Sequence, residues 1–241
     1  MSYGTTLDWQ LMSALKPPTL TAGVVHLWWL DLSIDSQQMD AFLPLLSDKQ
    51  RLKMQRLPTA EKQIHYVAGR GFLSQLLQAY LHTEQFSLGF GHHGKPYLLH
   101  PSMPLSFNFS DTCGRGLFAF ALDCELGVDL ESQARQGRFA RVIERRFAPS
   151  EQQVIDPQNA QQFLTCWTRK EAYGKALGVG LSYPLHEHVL CEKLEQNNVS
   201  TADAKWCLQQ FNLPAMPDDF IACLCSAGAE PKMIQAMRLT L

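Results

Sequence analysis

The pattern of apolar and polar positions along the chain predicts helices in some segments and strands in others. Two long segments with helical periodicity, residues 61–81 and 160–177, predict helices, and Gly178 and Gly180 follow the second one as capping glycines do. Five shorter segments are rich in β-branched or aromatic residues or are bounded by turn formers, and they predict strands at residues 24–32, 107–110, 116–122, 126–130 and 219–225. This mixture of elements predicts an α+β fold.

The order of the predicted elements occurs twice along the chain. Ser47 and Ser150 each begin an S-x-x-Q pattern that is typical of the start of a helix. Each pattern follows an apolar, helix-like stretch, at residues 42–46 and 139–147, and precedes one of the two long helices. We therefore expect one compact unit built from an N-terminal extension and two similar α+β halves, with the boundaries 1–22, 23–120 and 121–241.

The composition is that of an ordinary globular protein. The chain has 241 residues, of which 46% are hydrophobic and 18% are charged, and this balance excludes a disordered or low-complexity protein. Its beginning lacks the basic region and apolar run of a signal peptide, and the longest apolar stretch, residues 24–30, is too short to span a bilayer. The seven cysteines form no C-x-x-C pair and are odd in number. We therefore expect a cytoplasmic protein with reduced cysteines and no membrane partner.

The charge is distributed unevenly, although the formal net charge is only −2. Between residues 45 and 100, seven basic residues stand against three acidic ones. This part of the chain is therefore suited to bind phosphate groups. A nucleic-acid-binding protein would show a broader basic surface with interleaved aromatic residues, so we expect no nucleic-acid partner.

Two carboxylates occur in a strand-like segment at residues 127–131. Val128 and Leu130 alternate with Asp129 and Glu131, so the strand period of two places both acids on one face. Two neighbouring carboxylates repel each other unless a cation lies between them. The alternative is a strand that ends in solvent, where acidic residues are common.

A third carboxylate occurs on the second long helix. Trp167, Glu171 and Lys175 recur at i, i+4 and i+8, so an aromatic ring, an acid and an amine share one helical stripe. Three carboxylates, with the other ligand positions left to water and phosphate, form a set that suits Mg²⁺. The alternative is an exposed Glu171–Lys175 ion pair, with Trp167 as a core anchor.

These residues also carry a family resemblance. The pattern G-V-D-x-E at residues 127–131, followed by W-x-x-K-E-x-x-x-K at residues 167–175, resembles the signature of the larger, single-chain 4′-phosphopantetheinyl transferases. Three further stretches match that family in the right order, at residues 66–71, 94–97 and 107–110. The similarity covers roughly residues 45–185. It implies two α+β halves packed as a pseudo-twofold unit with the substrate between them.

The resemblance implies a reaction as well as a fold. The expected enzyme transfers 4′-phosphopantetheine from coenzyme A to a serine of an acidic apo carrier protein and releases 3′,5′-ADP. By resemblance, Asp129, Glu131 and Glu171 hold Mg²⁺, and Glu171 takes the serine proton directly or through a bound water. Lys175 then neutralises charge on the leaving phosphate. The protein is expected to act as a monomer.

The resemblance further implies a set of residues that bind coenzyme A. Arg70 matches the family position that grips the 3′-phosphate. Lys53 and Arg56 lie one helical turn apart and either join it or form a solvated basic face. The remaining cofactor-binding residues are Lys95, Ser110 and Lys170. Asp111 departs from the family pattern, in which histidine is usual at that position. An aspartate there would repel a pyrophosphate unless it faces away.

A basic stripe follows the first acidic motif. Arg138, Arg141 and Arg145 fall at i, i+3 and i+7 of a predicted amphipathic helix. Such a stripe suits the acidic surface of a carrier protein, and its alternative is a solvated basic face. Two other functions stay open at this level: a non-catalytic module that binds coenzyme A or a carrier protein, and a Mg²⁺-dependent phosphohydrolase.

Overall fold

The computed structural model describes residues 4–180, 183–213, 219–228 and 230–239. Within these ranges the helices α1 to α6, in chain order, are Ser36–Phe42, Asp48–Gln55, Ala60–Leu81, Ala140–Arg146, Pro149–Gln152 and Ala160–Leu177. The strands β1 to β12 are Thr5–Thr6, Trp9–Met12, Val24–Asp31, Ser87–Phe90, Pro96–Leu99, Leu105–Thr112, Arg115–Leu122, Leu126–Ser132, Asn198–Ser200, Trp206–Leu213, Phe220–Ala227 and Met233–Leu239. The α+β class and all five predicted strands are confirmed.

Two sheets of the same connectivity form the framework. In the first sheet the order is β2-β12-β3-β7-β6, and in the second it is β1-β10-β11-β8 with β9 also paired to β10. In the first sheet, helices follow β3 along the chain and lead to the antiparallel pair β6 and β7. Strand β3 itself pairs with β7. In the second, β8 leads through helices to the antiparallel pair β10 and β11 and then pairs with β11. The pseudo-twofold relation between the halves stays a prediction.

The ends of the chain join both sheets. Strand β1 pairs in parallel with β10 of the second sheet, whereas β2 pairs in parallel with β12 of the first. The C-terminal strand β12 also pairs with β3. The terminal segments are therefore part of the framework, and the boundaries 1–22, 23–120 and 121–241 stay a prediction.

The two sheets pack face to face through an apolar layer. Val128 and Leu130 of β8 lie in this layer with 0% and 2% of their surface exposed, beside residues of β3 and β7. Trp29 and Phe220 make an edge-to-face contact across it, with ring centroids 5.3 Å apart. Because Val128 and Leu130 face this layer, the alternate residues of β8 face α6. None of the helices in the described ranges is long and apolar enough to cross a membrane.

The two S-x-x-Q patterns predicted helix starts at Ser47 and Ser150, and the structure has a helix start at only the first of them. Ser47 begins α2 with a capping box, since its backbone N–H donates to Gln50 Oε1 (2.8 Å) and its side chain accepts the Gln50 N–H. The second predicted start, at Ser150, is wrong. Helix α5 begins at Pro149, a residue whose fixed φ suits a first helical position, and Ser150 lies inside the helix. Gly178 ends α6 with a φ of 69°, as predicted.

Candidate active site

The site is built where α6 packs closely on β8. A Cβ atom placed on Gly127 would lie 2.3 Å from both the Ala172 carbonyl oxygen and the Ala176 backbone nitrogen of α6. Glycine at this position therefore allows α6 to approach the strand. The close approach brings Glu171 and Lys175 of the helix to the carboxylates of β8.

Asp129 is the centre of a small hydrogen-bonded cluster. It is 6% exposed, and its Oδ1 accepts from Lys175 Nζ (2.7 Å) and from Ser110 Oγ (3.0 Å). Lys175 Nζ also donates to Ser110 Oγ (2.8 Å). Strands β6 and β8 and helix α6 thus each contribute one side chain. The structure thus brings Asp129, Lys175 and Ser110 together, and the role predicted for each of them stays a prediction.

Glu131 lies beside Asp129 and is held by two donors. Its carboxylate accepts from the Arg135 guanidinium and from Trp167. Burial and, after it, the negative charge of Asp129 raise the pKa of Glu131, and Arg135 and Trp167 oppose that rise. Trp167 is half-buried and stacks on Phe163, with ring centroids 5.8 Å apart. It therefore anchors the helix and also orients a carboxylate.

Glu171 completes a group of three interacting carboxylates. Burial and then the charge of Asp129 raise the pKa of Glu171 to about 7, while Lys175 and Arg146 act in the opposite direction. Glu171 Oε1 and Asp129 Oδ2 are both buried and have no hydrogen-bond partner among the described residues. Buried polar atoms are rarely left without a partner, so these two oxygens point to a missing cation or donor.

The three carboxylates Asp129, Glu131 and Glu171 have the chemistry of a Mg²⁺ site but do not converge on one point. Within the ranges that the structure describes, no three His, Cys, Asp or Glu side chains are arranged as a ready metal site. Lys175 already binds the Oδ1 atom of Asp129. The two buried carboxylate oxygens without partners are nevertheless the ligand type that Mg²⁺ prefers. Because these two oxygens lie on interacting carboxylates, the chemistry of the donor set fits Mg²⁺.

A pocket of about 280 Å³ opens beside Glu171 and Lys175. Residues of the β4–β5 turn, β6, the end of α6 and the following segment line it, among them His93, Lys95, Asn108, Phe109, Gly178 and Leu185. Lys95 Nζ donates to Glu125 Oε2 and to the Ala176 carbonyl oxygen, each at 2.8 Å. Lys95 therefore braces the end of α6 and also borders the pocket.

Arg70 lies between two aromatic rings, one of which, Phe109, also lines the pocket. Its guanidinium carbon is 4.6 Å from the ring centroids of both Tyr66 and Phe109, and Lys53 Nζ lies 5.6 Å from the Tyr66 ring. Neither Arg70 nor Lys53 forms an ion pair with a carboxylate in the described part of the chain. Stacking fixes the guanidinium plane and leaves its N–H donors available. Arg56 is exposed at the end of α2.

Among the predicted cofactor-binding residues, Lys95 lines the pocket, whereas Lys170 turns into the protein interior. Its side chain is fully buried, and Nζ forms an ion pair with Glu151 Oε2 (2.6 Å). The same ammonium donates to the carbonyl oxygens of Leu185 (2.9 Å) and His188. These three acceptors match its three N–H donors, so none is left for a phosphate.

The structure also places the remaining residues of interest. Asp111 is exposed, and strand alternation directs its side chain to the face opposite Ser110 and the Asp129 cluster. His93 lines the pocket and its ring stacks on that of His92, with centroids 4.7 Å apart. His188 Nε2 pairs with the Tyr183 hydroxyl (2.8 Å).

Two contributors to the site were missed by sequence reasoning. Asn108 Oδ1 accepts the backbone N–H of Val128 (2.9 Å), which ties β6 to the edge of β8. Asn108 and Ser110 share one face of β6, so strand periodicity could have identified Asn108. Arg146 lowers the pKa of Glu171 through its charge, and no sequence pattern signalled that proximity.

The predicted carrier-docking arginines are all exposed. Arg141 and Arg145 lie on α4, whereas Arg138 precedes the helix, because α4 begins at Ala140 and not at residue 139. The basic stripe is therefore shorter along the helix than the periodicity predicts. Glu144 is also exposed on α4 and reduces its positive charge.

Comparisons with known proteins point in one direction. A family model described as the 4′-phosphopantetheinyl transferase superfamily matches residues 125–225. The chain is 31% identical to the 4′-phosphopantetheinyl transferase HetI of Nostoc sp. over 224 residues, which cover 88% of this chain and 92% of that protein. It is 27% identical to a putative 4′-phosphopantetheinyl transferase of Synechocystis sp. (66% of this chain and 68% of that protein). It is also 27% identical to a 4′-phosphopantetheinyl transferase of Bacillus subtilis (65% and 71%).

Proposed function

The chain belongs to the 4′-phosphopantetheinyl transferase superfamily, and on that premise we propose that it transfers the phosphopantetheine group of coenzyme A to a serine of an apo carrier protein. In this reaction the serine oxygen forms a bond to the β-phosphorus of coenzyme A. The bond from that phosphorus to the bridging oxygen breaks, the serine proton passes to a base, and 3′,5′-ADP leaves. A cytoplasmic location and a monomeric state stay predictions.

One observation carries the assignment of the site: three carboxylates interact with one another, one of them, Glu171, lines the pocket, and two of their buried oxygens lack partners among the described residues. Asp129, Glu131 and Glu171 would hold Mg²⁺ there. When bound, the ion would neutralise charge on the pyrophosphate. Glycine at position 127 and the packing of α6 on β8 preorganise these groups before substrate arrives.

Glu171 and Lys175 are the proposed catalytic residues. Glu171 would accept the serine proton, and the pKa of about 7 given to it by burial and by Asp129 suits a base that works near neutral pH. Lys175 lines the same pocket and would neutralise charge on the leaving phosphate. Its hydrogen bonds to Asp129 and Ser110 hold the ammonium in place.

The proposed cofactor contacts begin at Arg70. It would hold the 3′-phosphate of coenzyme A with Lys53, because both cations lie over the Tyr66 ring and lack carboxylate partners in the described ranges. Arg56 would add charge from the end of α2. Lys95 and Ser110 border the site but already have protein partners, so a phosphate contact would share those donors.

The carrier protein is proposed to dock beside the catalytic carboxylates. The exposed residues Arg138, Arg141 and Arg145 would face its acidic surface, since α4 lies directly after the strand that carries Asp129 and Glu131. Long-range attraction between such surfaces mainly speeds encounter.

The proposed reaction can be tested by mass spectrometry of the carrier. The protein is incubated with coenzyme A, Mg²⁺ and an apo carrier domain, with EDTA in a parallel sample. A gain of the phosphopantetheine mass on the carrier, abolished by EDTA, is the expected result. Free nucleotide without that gain would identify a phosphohydrolase, and no change in any component would identify a binding module.

Matched variants locate the chemistry within this assay. Glu171→Gln removes the proposed base and a metal ligand with little change in shape, so the mass gain should disappear. Glu84→Gln makes the same chemical change at an exposed carboxylate and should leave the reaction intact. Equal transfer by both variants would contradict the assignment of the site.

A further inference from the structure

Two consecutive cations on α6 are buried in the protein. Arg169 and Lys170 have 1% and 0% of their surface exposed. Both bind backbone carbonyl oxygens of residues 183–197, which we call the wall segment. The carbonyls bound by Lys170 are those of Leu185 and His188, and the carbonyls bound by Arg169 are those of Leu190, Lys193, Leu194 and Gln196. A segment without strand pairing through most of its length thus folds around two fixed charges.

The charge of Lys170 is balanced by one fully buried carboxylate. Glu151 Oε2 lies 2.6 Å from Lys170 Nζ and accepts the Ala148 N–H (2.8 Å), and Glu151 Oε1 accepts the Leu190 N–H (2.7 Å). One ion pair therefore joins α5, α6 and the wall segment. Because both partners have their hydrogen bonds satisfied, the pair does not need a ligand to complete it.

The wall segment forms one side of the pocket. Leu185 is 2% exposed and lines the pocket together with Glu171 and Lys175. Its carbonyl oxygen is held by Lys170 at 2.9 Å. The second carbonyl oxygen that Lys170 binds belongs to His188, whose ring stacks on that of Tyr183 with centroids 5.2 Å apart. The only helical turn of the wall segment is Leu185–Glu187. The bonds of Lys170 to the two carbonyl oxygens and the contact between the His188 and Tyr183 rings therefore largely determine where the wall segment lies.

We propose that Lys170 is a positioning residue that fixes the Leu185 wall and thereby sets the fit of the pocket to coenzyme A. It acts without touching the substrate, through its bonds to the carbonyls of Leu185 and His188. This inference rests on the proposed function, because it takes coenzyme A as the occupant of the pocket. It gives Lys170 a role different from the phosphate contact that the sequence motif predicts.

The test compares two variants that differ only at position 170, in the ammonium that binds these carbonyls. Lys170→Met alone leaves Glu151 as a buried, unpaired charge, which strongly destabilises a fold. The double variant Lys170→Met/Glu151→Gln removes both charges and keeps one amide oxygen, which can accept from one of the two backbone donors, Ala148 or Leu190. Glu151→Gln alone is the matched control, because it breaks the ion pair and leaves the Lys170 ammonium on its carbonyls. This ammonium then lacks its carboxylate, so the folded fraction and melting temperature of both variants are measured before their kinetics are compared.

The expected result is a separation of KM from kcat. In the double variant the KM for coenzyme A rises about tenfold, kcat changes by less than about threefold, and the KM for the carrier is unchanged. In Glu151→Gln the KM for coenzyme A stays within about twofold of wild type. A purely structural role would lower the active fraction and the melting temperature while leaving the KM of the folded enzyme unchanged.

Two further measurements do not depend on transfer. Hydrogen exchange of the peptide 183–190 should be faster in the double variant than in Glu151→Gln, with strand β10 as the internal reference. Titration with coenzyme A by calorimetry should show weaker binding in the double variant. Equal coenzyme A affinity and equal exchange in the two variants would overturn the proposal.

The two hypotheses fail in different ways. If the wild type binds coenzyme A but modifies no carrier, the proposed reaction is wrong while the wall is still tested by binding and exchange. If the wild type transfers the group and the double variant keeps the KM of wild type, the reaction stands and the role of Lys170 is wrong.

Discussion

Replacement of Glu171 by glutamine should stabilise the protein in the absence of metal. Burial and the charge of Asp129 raise the pKa of Glu171 from its ordinary value of 4.5 to about 7, so the folded state holds this carboxylate at a cost whenever it is ionised. Glutamine has nearly the same shape and carries no charge. The change therefore removes the repulsion and keeps the packing.

The magnitude follows from proton linkage. Between pH 4.5 and about 7 the folded protein binds more protons at Glu171 than the unfolded chain does, so stability falls as pH rises through that window. At about 1.4 kcal/mol for each pH unit, the full difference is about 3 kcal/mol, and solvent screening of the half-buried group reduces it to about 2 kcal/mol. For a chain of this size, that corresponds to a melting temperature roughly 4 to 8 °C higher at pH 8.

The assay is thermal unfolding of wild type and Glu171→Gln in EDTA at several pH values. The gap should be largest at pH 8 and should close as pH falls below 4.5, where the wild-type carboxyl is protonated in both states. Glu84→Gln, at an exposed position, is the control and should show no such trend. A Glu171→Gln variant that is no more stable than wild type at pH 8 would refute the repulsion among the carboxylates.

Addition of Mg²⁺ extends the same experiment to the metal proposal. An ion that binds only the folded protein raises its melting temperature. Wild type at pH 8 should therefore gain stability from millimolar Mg²⁺, and Glu171→Gln should gain clearly less because one proposed ligand is lost. Equal gains in both proteins would remove Glu171 from the proposed ligand set.

Three further predictions concern activity. Asp129→Ala or Glu131→Ala should abolish Mg²⁺-dependent transfer while the melting temperature changes by only a few degrees, and wild-type turnover by either variant would contradict their proposed role. Arg70→Ala should raise the KM for coenzyme A by about 10- to 100-fold, the effect of losing about 1.5 to 3 kcal/mol, but should change the KM for dephospho-coenzyme A much less, since only the former carries the 3′-phosphate. Equal effects on the two donors would show that Arg70 serves another purpose. Arg141→Glu/Arg145→Glu should raise the KM for the carrier at low salt and flatten its salt dependence, with the KM for coenzyme A unchanged. An unchanged carrier KM would place the docking surface elsewhere.

Local patterns in the sequence predicted the elements that carry the site. Helix α6 spans the predicted residues 160–177, and the alternation of Val128 and Leu130 with Asp129 and Glu131 gives the observed apolar face of β8. These features follow from local periodicity and burial, which each segment expresses by itself. Seven strands were not predicted, and apart from β10 they are short or terminal: β1, β2, β4, β5, β9, β10 and β12. They depend on pairing with distant partners, and their own sequences carry weaker signals.

The motifs predicted which side chains belong to the site, but not how they contact one another there. Asp129, Ser110 and Lys175 come from three elements, and the structure joins them in one hydrogen-bonded cluster. Lys170 stands beside Glu171 in the same motif, yet it turns into the protein interior and binds Glu151 and two carbonyls. The sequence cannot distinguish these outcomes, because adjacent residues on a helix face different directions and burial depends on what packs there.

The sequence by itself thus determined the α+β class, the main helices and strands of the site, and the family to which the motifs belong. The tertiary structure decided that Arg70 is held between Tyr66 and Phe109 and that β1 and β2 join different sheets. It also decided that Glu171 shares its surroundings with Asp129, which raises its pKa. The physical reason is that local periodicity acts over a few residues, whereas charge interactions, ring stacking and strand pairing depend on groups that only the folded chain brings together.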